Sequence, residues 1–449
     1  MSMHNERMSK KPARSHAYIP QKLFLAFELF TQQEMANHAA AGAYGFLLSA
    51  IPAILVIIFI SSRIMTSFDP KAILAPLEPF LGAFGGKESI TAFLAKPLAS
   101  FTGVFGFINL VWAARLFIVS VQRGIRVVYG DSDKSGAVRD NILTFGLELL
   151  VILVIVLIIS ISQLARMAMA GLSWLPVAFI FNSALKLVFH LLPALSLWTF
   201  VFITYARLPL VKPKIKTVAL SSVLCVASYI VLASLLNLIL NAEKYGLLYG
   251  ILGSLVAGLI KVYFFFWLYF YFSELCYTIE YFDSLLFARF YEFVLKNKET
   301  GRLEKKLFRN PERLFMRHSR FYPSGSTIFC KGDTDSSIYY LYKGSISIFL
   351  SFPDCECQKN KKVNWNQVTK AQAFSEIKEG EFFGEMAFIL HKPRSAFAIA
   401  REDSTVFELN PKMFSNFLEQ NSNAAKALNE LLAARLRENN DLYLGAEKQ

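Results

Sequence analysis

Six long apolar stretches, all between residues 35 and 273, most constrain what this 449-residue chain can fold into. A helix needs about 20 apolar residues to cross the hydrocarbon core of a bilayer, where each unpaired peptide group costs several kcal/mol. The stretches are 35–62, 97–121, 142–165, 187–206, 217–240 and 250–273. A composition of 54% hydrophobic and only 18% charged residues also excludes an ordinary soluble enzyme. The pattern predicts six transmembrane helices.

The basic residues between these stretches predict how the helices are oriented. The connections 121–140 and 207–216 each hold four Lys or Arg residues, whereas 63–96, 166–180 and 241–249 together hold six over a greater length. Positively charged loops near helix ends stay in the cytoplasm. The first 35 residues are basic and lack the apolar core of a cleavable signal peptide. We expect a multi-pass protein with both termini in the cytoplasm, and we attribute its net charge of +13 to topology rather than to nucleic-acid binding.

Charged residues inside the apolar stretches are candidates for a transport path, because they are costly in lipid and face the protein interior or a water-filled cavity. The candidates are Arg115, Glu148, Lys186, His190 and Lys261. The two lysines can instead extend to the membrane surface, where their charge is hydrated. We therefore predict a polar network formed by Arg115 and Glu148, with packing as the alternative role for these charges.

The five cysteines form no regular framework, so reduced thiols are expected. The C-x-C of Cys355 and Cys357 has no second pair and no nearby histidine cluster, which favours an ordinary loop over a zinc site. We predict no metal and no bound cofactor.

The apolar region also resembles a known family. The segments His38–Pro52, Gly106–Leu116, Gly124–Gly130 and Lys244–Gly250 are similar in order and spacing to those of the YihY/BrkB family of bacterial inner-membrane proteins. The resemblance implies a six-helix inner-membrane bundle that transports or flips an envelope lipid, or the older assignment as a tRNA-processing ribonuclease. Metal-dependent hydrolysis needs clustered ligands. The six histidines are scattered along the chain, which argues against a nuclease.

The C-terminal region has a different pattern. After a polar, helical-looking segment, residues 346–352 alternate with a period of two, which predicts a strand with Ile346, Ile348 and Leu350 on one face. Glycines punctuate the region as a small antiparallel barrel requires, and Gly344 after Lys343 predicts a hairpin turn. The spacing of leucines after Pro411 predicts a return to helix.

The segment Phe383–Ala396 carries the chemistry of an anion site. A glycine lets the backbone approach a ligand, the amides that follow it can point at an anion, and an arginine can pair with that anion. An acidic side chain beside these groups would repel a phosphate, so it suits sugar hydroxyls instead. These residues closely resemble the phosphate-binding cassette of cyclic nucleotide-binding domains, over about 320–436.

The resemblance implies a role for each residue of the cassette. Glu385 would bind the ribose 2′-hydroxyl, and Arg394 and Ser395 would bind the cyclic phosphate. The backbone of Gly384, Met386 and Ala387 would complete the site. A C-terminal helix with Leu432 and Leu436 would close over it as a lid. Phe397 is bulky where several relatives carry Thr, so cAMP and cGMP both stay open, with cAMP favoured.

We therefore predict a membrane-embedded all-α six-helix bundle followed by a cytoplasmic jelly-roll-like β-barrel with flanking helices. The predicted regions are an N-terminal segment 1–40, a membrane domain 41–278, a helical linker 279–319 and a cyclic nucleotide-binding domain 320–449. The predicted function is a transporter or flippase-like protein of the bacterial inner membrane, regulated by a cyclic nucleotide, with an unknown substrate and no enzymatic activity. A homo-oligomer is compatible with the sequence.

Two alternatives stay open at this point. One is a cyclic nucleotide-gated channel, although the roughly nine residues between the fifth and sixth stretches are too few for a pore loop. The other is a membrane-tethered cyclic nucleotide sensor that transports nothing.

Overall fold

The computed structural model describes two compact units of the chain, one formed by Met1–Lys22 with Tyr281–Gln449 and the other by Leu23–Glu280. The described residues are 18–64, 101–130, 142, 145–146, 178–209, 211–239, 251–296, 304, 307–308, 312–350, 374–420, 425–426, 428–430 and 432–433.

Long apolar helices build the Leu23–Glu280 unit. They are α1 (Ile19–Gln32), α2 (Met35–Ile64), α3 (Phe101–Tyr129), α4 (Ala178–Arg207), α5 (Ile215–Ile239) and α6 (Ile251–Glu280). Two segments within the described residues, Ile215–Ile239 and Val256–Glu280, are long and apolar enough to cross a membrane. The predicted stretch 142–165 lies almost entirely outside the described residues, and the six-helix bundle stays a prediction.

Helix α6 is the central helix of this unit, since it packs against α2, α3 and α5. Its residues from Phe265 to Thr278 are mostly buried. Glycines on the neighbouring helices allow the close approach. A Cβ at Gly42 would meet the Phe266 ring at 3.0 Å, and one at Gly124 would overlap the ring of Phe270. Bulk on α6 is thus accommodated by glycine on α2 and α3.

The other unit holds two four-stranded antiparallel sheets with strand orders β1-β8-β3-β6 and β2-β7-β4-β5. The strands are β1 (Ser319–Tyr322), β2 (Thr327–Phe329), β3 (Ile338–Lys343), β4 (Ile346–Phe349), β5 (Ser375–Ile377), β6 (Phe382–Phe383), β7 (Phe397–Ala400) and β8 (Ser404–Leu409). The helices are α7 (Phe282–Lys296), α8 (Glu312–His318), α9 (Glu385–Leu390) and α10 (Pro411–Gln420). The antiparallel barrel predicted for this region is confirmed.

The predicted hairpin at Gly344 is wrong. Strand β3 pairs with β6 and β8, whereas β4 pairs with β5 and β7, so the two strands belong to different sheets. Gly344 has φ 106°, and a Cβ there would collide with Ser404. Such a glycine makes a tight connection, but its presence does not determine whether the next strand pairs with the previous one. Here the connection carries the chain from one sheet to the other.

Strand β4 nonetheless shows the predicted alternation. Ile346 is fully buried in the core between the sheets, and Ile348 packs against the same core. Leu350, one step further on this face, is exposed but lines a cavity together with Ile348. The aliphatic face of β4 thus supplies both the core and one wall of the candidate site.

Helix α7 packs against the barrel through aromatic rings. The Phe287 ring lies 5.0 Å from the ring of Phe417, 5.7 Å from that of Tyr340 and 6.4 Å from that of Phe382. Phe287 itself is fully buried. The segment predicted as a linker therefore contributes a helix to the core of this unit.

The cysteines follow the prediction only in part. Cys225 and Cys276 are free and buried, as expected. Cys330 is disulfide-bonded, so the prediction of a reduced thiol is wrong at this position. The number and spacing of cysteines do not show which thiols lie close together in the fold.

Candidate functional site

Gly384 forms the bend at the centre of the candidate site. It has φ 77° and ψ 4°, a left-handed conformation that favours glycine, and it directly precedes α9. A Cβ at this position would lie 2.8 Å from Nη1 of Arg394 and 3.3 Å from the rings of Phe329 and Tyr339. The first amides of α9, after this bend, have no acceptor within their own helix and are available to other groups. A glycine is required here both for the backbone conformation and for the space.

Arg394 is buried inside the barrel, with 1% of its side chain exposed. Its Nη1 donates to the Gly384 carbonyl at 2.5 Å, and its Nη2 donates to the Ser337 carbonyl at 2.6 Å. The guanidinium lies over the rings of Phe329, at 4.4 Å, and Tyr339, at 5.5 Å, within the range of cation–π attraction. Buried charge is tolerated only with such compensation. The guanidinium is therefore held in place before any ligand binds.

Asp335 supplies the counter-charge of this arginine. Its Oδ2 lies 3.5 Å from Nη2 of Arg394, and its Oδ1 accepts hydrogen bonds from the Ser337 amide at 3.3 Å and hydroxyl at 3.0 Å. Burial alone would raise the pKa of Asp335, but the Ser337 hydrogen bonds and the Arg394 charge outweigh it, so the pKa is lowered. Asp335 is thus ionised at neutral pH and stabilises the positive guanidinium.

A cavity of about 330 Å³ opens beside these groups. Its volume is at the lower end for small-molecule sites, which span roughly 300–1,000 Å³. The lining residues are Phe329, Ile348, Leu350, Phe374, Ser375, Phe383, Gly384, Glu385, Met386, Ala387, Leu390, Arg394, Ser395 and Ala396. The cavity therefore combines an apolar wall with one acidic residue, Glu385, and one basic residue, Arg394. This combination suits a ligand that has both a ring and an anionic group.

The six residues predicted to bind the nucleotide, Gly384, Glu385, Met386, Ala387, Arg394 and Ser395, all line this cavity. Glu385 is fully buried, Ala387 is nearly so, Met386 is half-buried and Ser395 is exposed. The Nε of Arg394 is buried and has no hydrogen-bond acceptor among the described residues. An anionic ligand in the cavity can supply that acceptor. The structure thus places Glu385 and Arg394, the two charged residues that the sequence predicts for this site, around one cavity.

The other predicted residues lie elsewhere or outside the described part of the chain. Leu432 is half-buried in a helical fragment and does not line the cavity formed by the described residues, and Leu436 lies outside them. Arg115 is half-buried in α3, whereas Glu148 lies outside the described residues. The lid and the intramembrane network therefore stay predictions. Phe397 starts β7 and does not line this cavity.

Four residues that hold Arg394 in place are not among those predicted from the sequence. Asp335 and Ser337 lie in the turn before β3, and Phe329 and Tyr339 lie on β2 and β3, which belong to different sheets. The Asp-Ser-Ser run at 335–337 is a local signal for a side-chain-capped turn. No signal along the chain connects the two aromatic rings to the arginine.

Comparison with protein families assigns both parts of the chain. The family model described as Virulence factor BrkB matches residues 26–285. The cyclic nucleotide-binding domain model matches residues 319–421. Both resemblances predicted from the sequence are confirmed.

Individual relatives match the C-terminal region. The cAMP-activated global transcriptional regulator CRP of Salmonella typhimurium is 26% identical over 121 residues, which are 27% of this chain and 51% of the relative. The cyclic AMP receptor protein of Thermus thermophilus is 29% identical over 119 residues, 26% of this chain and 49% of the relative. The chain thus spans about half the length of these relatives. The crystal structure of the Thermus thermophilus catabolite activator protein is 30% identical, with a TM-score of 0.23 over 28% of this chain and 52% of that one.

Proposed function

Because the chain belongs to the Virulence factor BrkB family and carries a cyclic nucleotide-binding domain, we propose that it is a transporter or flippase-like protein regulated by a cyclic nucleotide. The BrkB family is a family of membrane proteins, and the described residues include two helices of sufficient length and hydropathy. The observation that carries the regulatory half is the cavity that holds Glu385 and Arg394 together.

The residues of the cavity have distinct roles in this proposal. The Arg394 guanidinium pairs with the cyclic phosphate through Nε, the donor for which the described residues offer no acceptor. Glu385 accepts hydrogen bonds from ribose hydroxyls, because its negative charge would repel the phosphate. Ser395 adds a hydroxyl beside the arginine. The apolar wall of Ile348, Leu350 and Phe374 would contact the base.

Similarity supports cAMP over cGMP as the ligand. The two curated relatives are named for cAMP, and the base-contacting wall here is apolar. Leu432 and Leu436 are the proposed lid residues, on the C-terminal helix that the leucine spacing predicts.

The proposed coupling runs through α7. The chain passes from α6 to α7 through a single residue, Tyr281, and α7 packs its Phe287 against Phe382 of β6. Phe382 lies two residues before Gly384, at the bend of the ligand cavity. A nucleotide that shifts this bend can therefore move α7, provided that it binds one position of α7 more tightly than the other.

The proposed location is the bacterial inner membrane, with both termini in the cytoplasm. The support is the distribution of basic residues, since Arg126 and Arg207 lie in the last turns of α3 and α4, next to the two most basic connections in the sequence. We propose no catalytic activity, and the transported substance is unidentified.

Calorimetric titration of the full chain in nanodiscs with cAMP and cGMP tests the proposal. We expect a dissociation constant well below about 1 mM for at least one nucleotide. Arg394→Ala should weaken binding by about 10- to 100-fold, because the charge-assisted hydrogen bond from Nε contributes roughly 1.5–3 kcal/mol. Lys392→Ala is the matched control, because Lys392 is an exposed cation two residues away.

The same samples separate binding from regulation. Hydrogen exchange of the α7 amides should change when the nucleotide is added. Absence of binding in the wild-type chain would contradict the ligand assignment. Tight binding with unchanged exchange in α7 would leave a nucleotide sensor and contradict regulation of the membrane domain.

A further inference from the structure

Glu274 lies in the C-terminal third of α6 and has no exposed surface. It belongs to Val256–Glu280, one of the segments that are long and apolar enough to cross a membrane. A carboxyl group that has lost its hydration needs a cation, a set of hydrogen-bond donors or a bound proton. The groups around Glu274 show which of these it has.

One oxygen of Glu274 accepts a hydrogen bond from Gln33, which lies between α1 and α2. In the orientation that satisfies its neighbours, the Gln33 side-chain nitrogen donates to Oε1 of Glu274 at 2.9 Å and to the Val127 carbonyl at 3.2 Å. Gln33 lies in the break between α1 and α2, beside Glu34, which has φ 53°. A left-handed backbone is uncommon for a residue with a side chain and costs free energy. The strained break presents a neutral amide, not a cation, to the buried acid.

The second oxygen has neither donor nor cation in the described part of the chain. Oε2 of Glu274 is buried without a hydrogen-bond partner there. The ion pair that α6 makes among those residues joins Glu280 to Lys214 at 3.3 Å. Among the described residues, the other titratable groups that are at least half-buried on the helices around α6 are Lys22 and Glu28 on α1, His38 on α2, Arg115, Arg126 and Tyr129 on α3, Tyr205 on α4, and Cys225 and Tyr229 on α5. On α6 itself they are Lys261, Tyr263, Tyr269, Tyr271, Cys276 and Tyr277. No ion pair among the described residues joins any of them to Glu274.

A proton suits this site better than a metal ion. Hard metal cations need several oxygen ligands at once. The described residues contain no group of three His, Cys, Asp or Glu side chains that could hold a metal ion. A proton needs one oxygen, and it removes the charge whose burial is unfavourable. The Ser273 and Thr278 hydroxyls on the same helix are also buried without partners in the described structure. Such oxygens are where buried water is expected, and water would give a proton access.

We propose that the Glu274 carboxyl is a proton-binding site of the membrane domain, with Gln33 as its positioning residue. The proton is taken from bulk water onto Oε2, which converts the carboxylate to the neutral acid, and the reverse step returns it to water. This site goes beyond the proposed function and is independent of nucleotide binding.

Infrared spectroscopy of the full chain in nanodiscs tests this proposal directly. A protonated carboxyl has a carbonyl stretching band of its own, and this band shifts in D₂O when the proton exchanges. We expect the band in the wild type, its loss in Glu274→Gln and its retention in Glu280→Gln, because the Glu280 carboxyl lies 3.3 Å from the Lys214 ammonium and Glu274 has no such partner among the described residues. The band should move after transfer to D₂O, and its intensity should fall as the pH rises.

The role of Gln33 has its own readout. Gln33→Leu removes the hydrogen bond to Oε1, so the band should move to higher frequency while the protein stays folded. A purely structural glutamine would affect stability and leave the band unchanged.

The proposal has clear contrary outcomes. A band of unchanged intensity in Glu274→Gln would show that it comes from another carboxyl and that Glu274 is ionised, and a band that never shifts in D₂O would show a neutral acid closed to water. If Glu274→Gln does not fold, carbodiimide labelling of the wild type, mapped by mass spectrometry, replaces it. The reagent attacks protonated carboxyls, so labelling of Glu274 should fall as the pH rises, and no labelling at any pH would overturn the proposal. A failure to bind nucleotides would leave all of these results unaffected.

Discussion

The nucleotide site and the buried acid of the membrane domain are assembled from the chain in opposite ways. Gly384, Glu385 and Arg394 lie within one short segment, and the fold has only to bend that segment around a cavity. Glu274 and Gln33 lie near opposite ends of the sequence of the Leu23–Glu280 unit, and only helix packing brings them together. A site of the first kind can be found by its motif. A site of the second kind depends on how closely the helices approach each other.

The largest expected effect breaks that helix packing. Gly124→Ala places a Cβ inside the space of the Phe270 ring, and α3 must then move away from α6. Overpacking of this kind costs about 1–3 kcal/mol, and we expect the upper end because both groups are on long helices. The measurement is the midpoint of thermal unfolding of the full chain, with the fraction that stays monodisperse after extraction.

Gly258→Ala is the control for this prediction. Gly258 is on α6, and no described atom lies within 4 Å of the position of its Cβ. The midpoint should be unchanged or slightly raised, since alanine favours a helix over glycine. Equal losses in both variants would show that helix approach at Gly124 is not what holds the membrane domain together.

The second prediction tests the bend of the nucleotide site. Gly384→Ala and Gly332→Ala both place a side chain on a left-handed backbone, with φ 77° and 91°. Each should lose roughly 1–2 kcal/mol of stability for that reason. A Cβ at Gly384 also lies 2.8 Å from Nη1 of Arg394, whereas no described atom lies within 4 Å of one at Gly332.

Nucleotide affinity separates the two glycine variants. Gly384→Ala displaces the guanidinium and should weaken binding by about tenfold or more, equivalent to about 1.4 kcal/mol. Gly332→Ala should bind as the wild type does, because the added Cβ meets no described atom and the amide can still donate to the Arg394 carbonyl. Calorimetric titration of both variants measures this difference. Equal affinities would mean that the bend is not part of the ligand site.

Features formed within one segment of the chain could be predicted from the sequence, whereas features that need distant segments could not. The cassette and the barrel could be predicted because glycine, acid and arginine lie at fixed spacing in one segment. The positions of Phe329 and Tyr339 beneath Arg394 could not, since they come from two sheets and the sequence pattern does not specify sheet pairing. Gly344 shows the same limit, because a turn residue does not determine the partner of the next strand.

Glu274 illustrates the limit in the membrane domain. The apolar stretch predicted from hydropathy ends near residue 273, so Glu274 is not among the charged residues that the sequence predicts inside a membrane helix. In the structure α6 continues to Glu280, and Glu274 is buried by neighbouring helices. Hydropathy measures the average composition of a segment and cannot show that a single polar residue is covered by other helices.

The smallest expected effect on stability concerns the ion pairs between α7 and α8, in the unit that contains the β-barrel (the nucleotide unit). Asp283 accepts a hydrogen bond from Nε of Arg313 at 2.6 Å, and its Oδ2 lies 3.1 Å from Nη1 of Arg317 and 3.7 Å from Nε2 of His318. Burial raises the pKa of Asp283, but these partners outweigh it and hold the pKa well below 3.8. Asp283→Asn should cost about 1 kcal/mol, since the cluster is partly exposed.

The stability lost in Asp283→Asn should depend on pH, because only the ionised carboxylate of Asp283 stabilises the fold. A carboxyl with a lowered pKa contributes stability above its unfolded value of 3.8, and the contribution disappears as the pH falls through the lowered pKa. The difference in unfolding midpoint between wild type and Asp283→Asn should therefore be constant near neutral pH and shrink in acid.

Glu408→Gln, which removes the exposed pair with Arg320 at 3.3 Å, is the control and should change stability by less than about 0.5 kcal/mol. If the two variants behaved alike, contacts between α7 and α8 would matter no more than a surface ion pair. Helix α7 would then be held by the aromatic packing of Phe287, as α6 in the Leu23–Glu280 unit is held by the packing of its phenylalanines against Gly42 and Gly124.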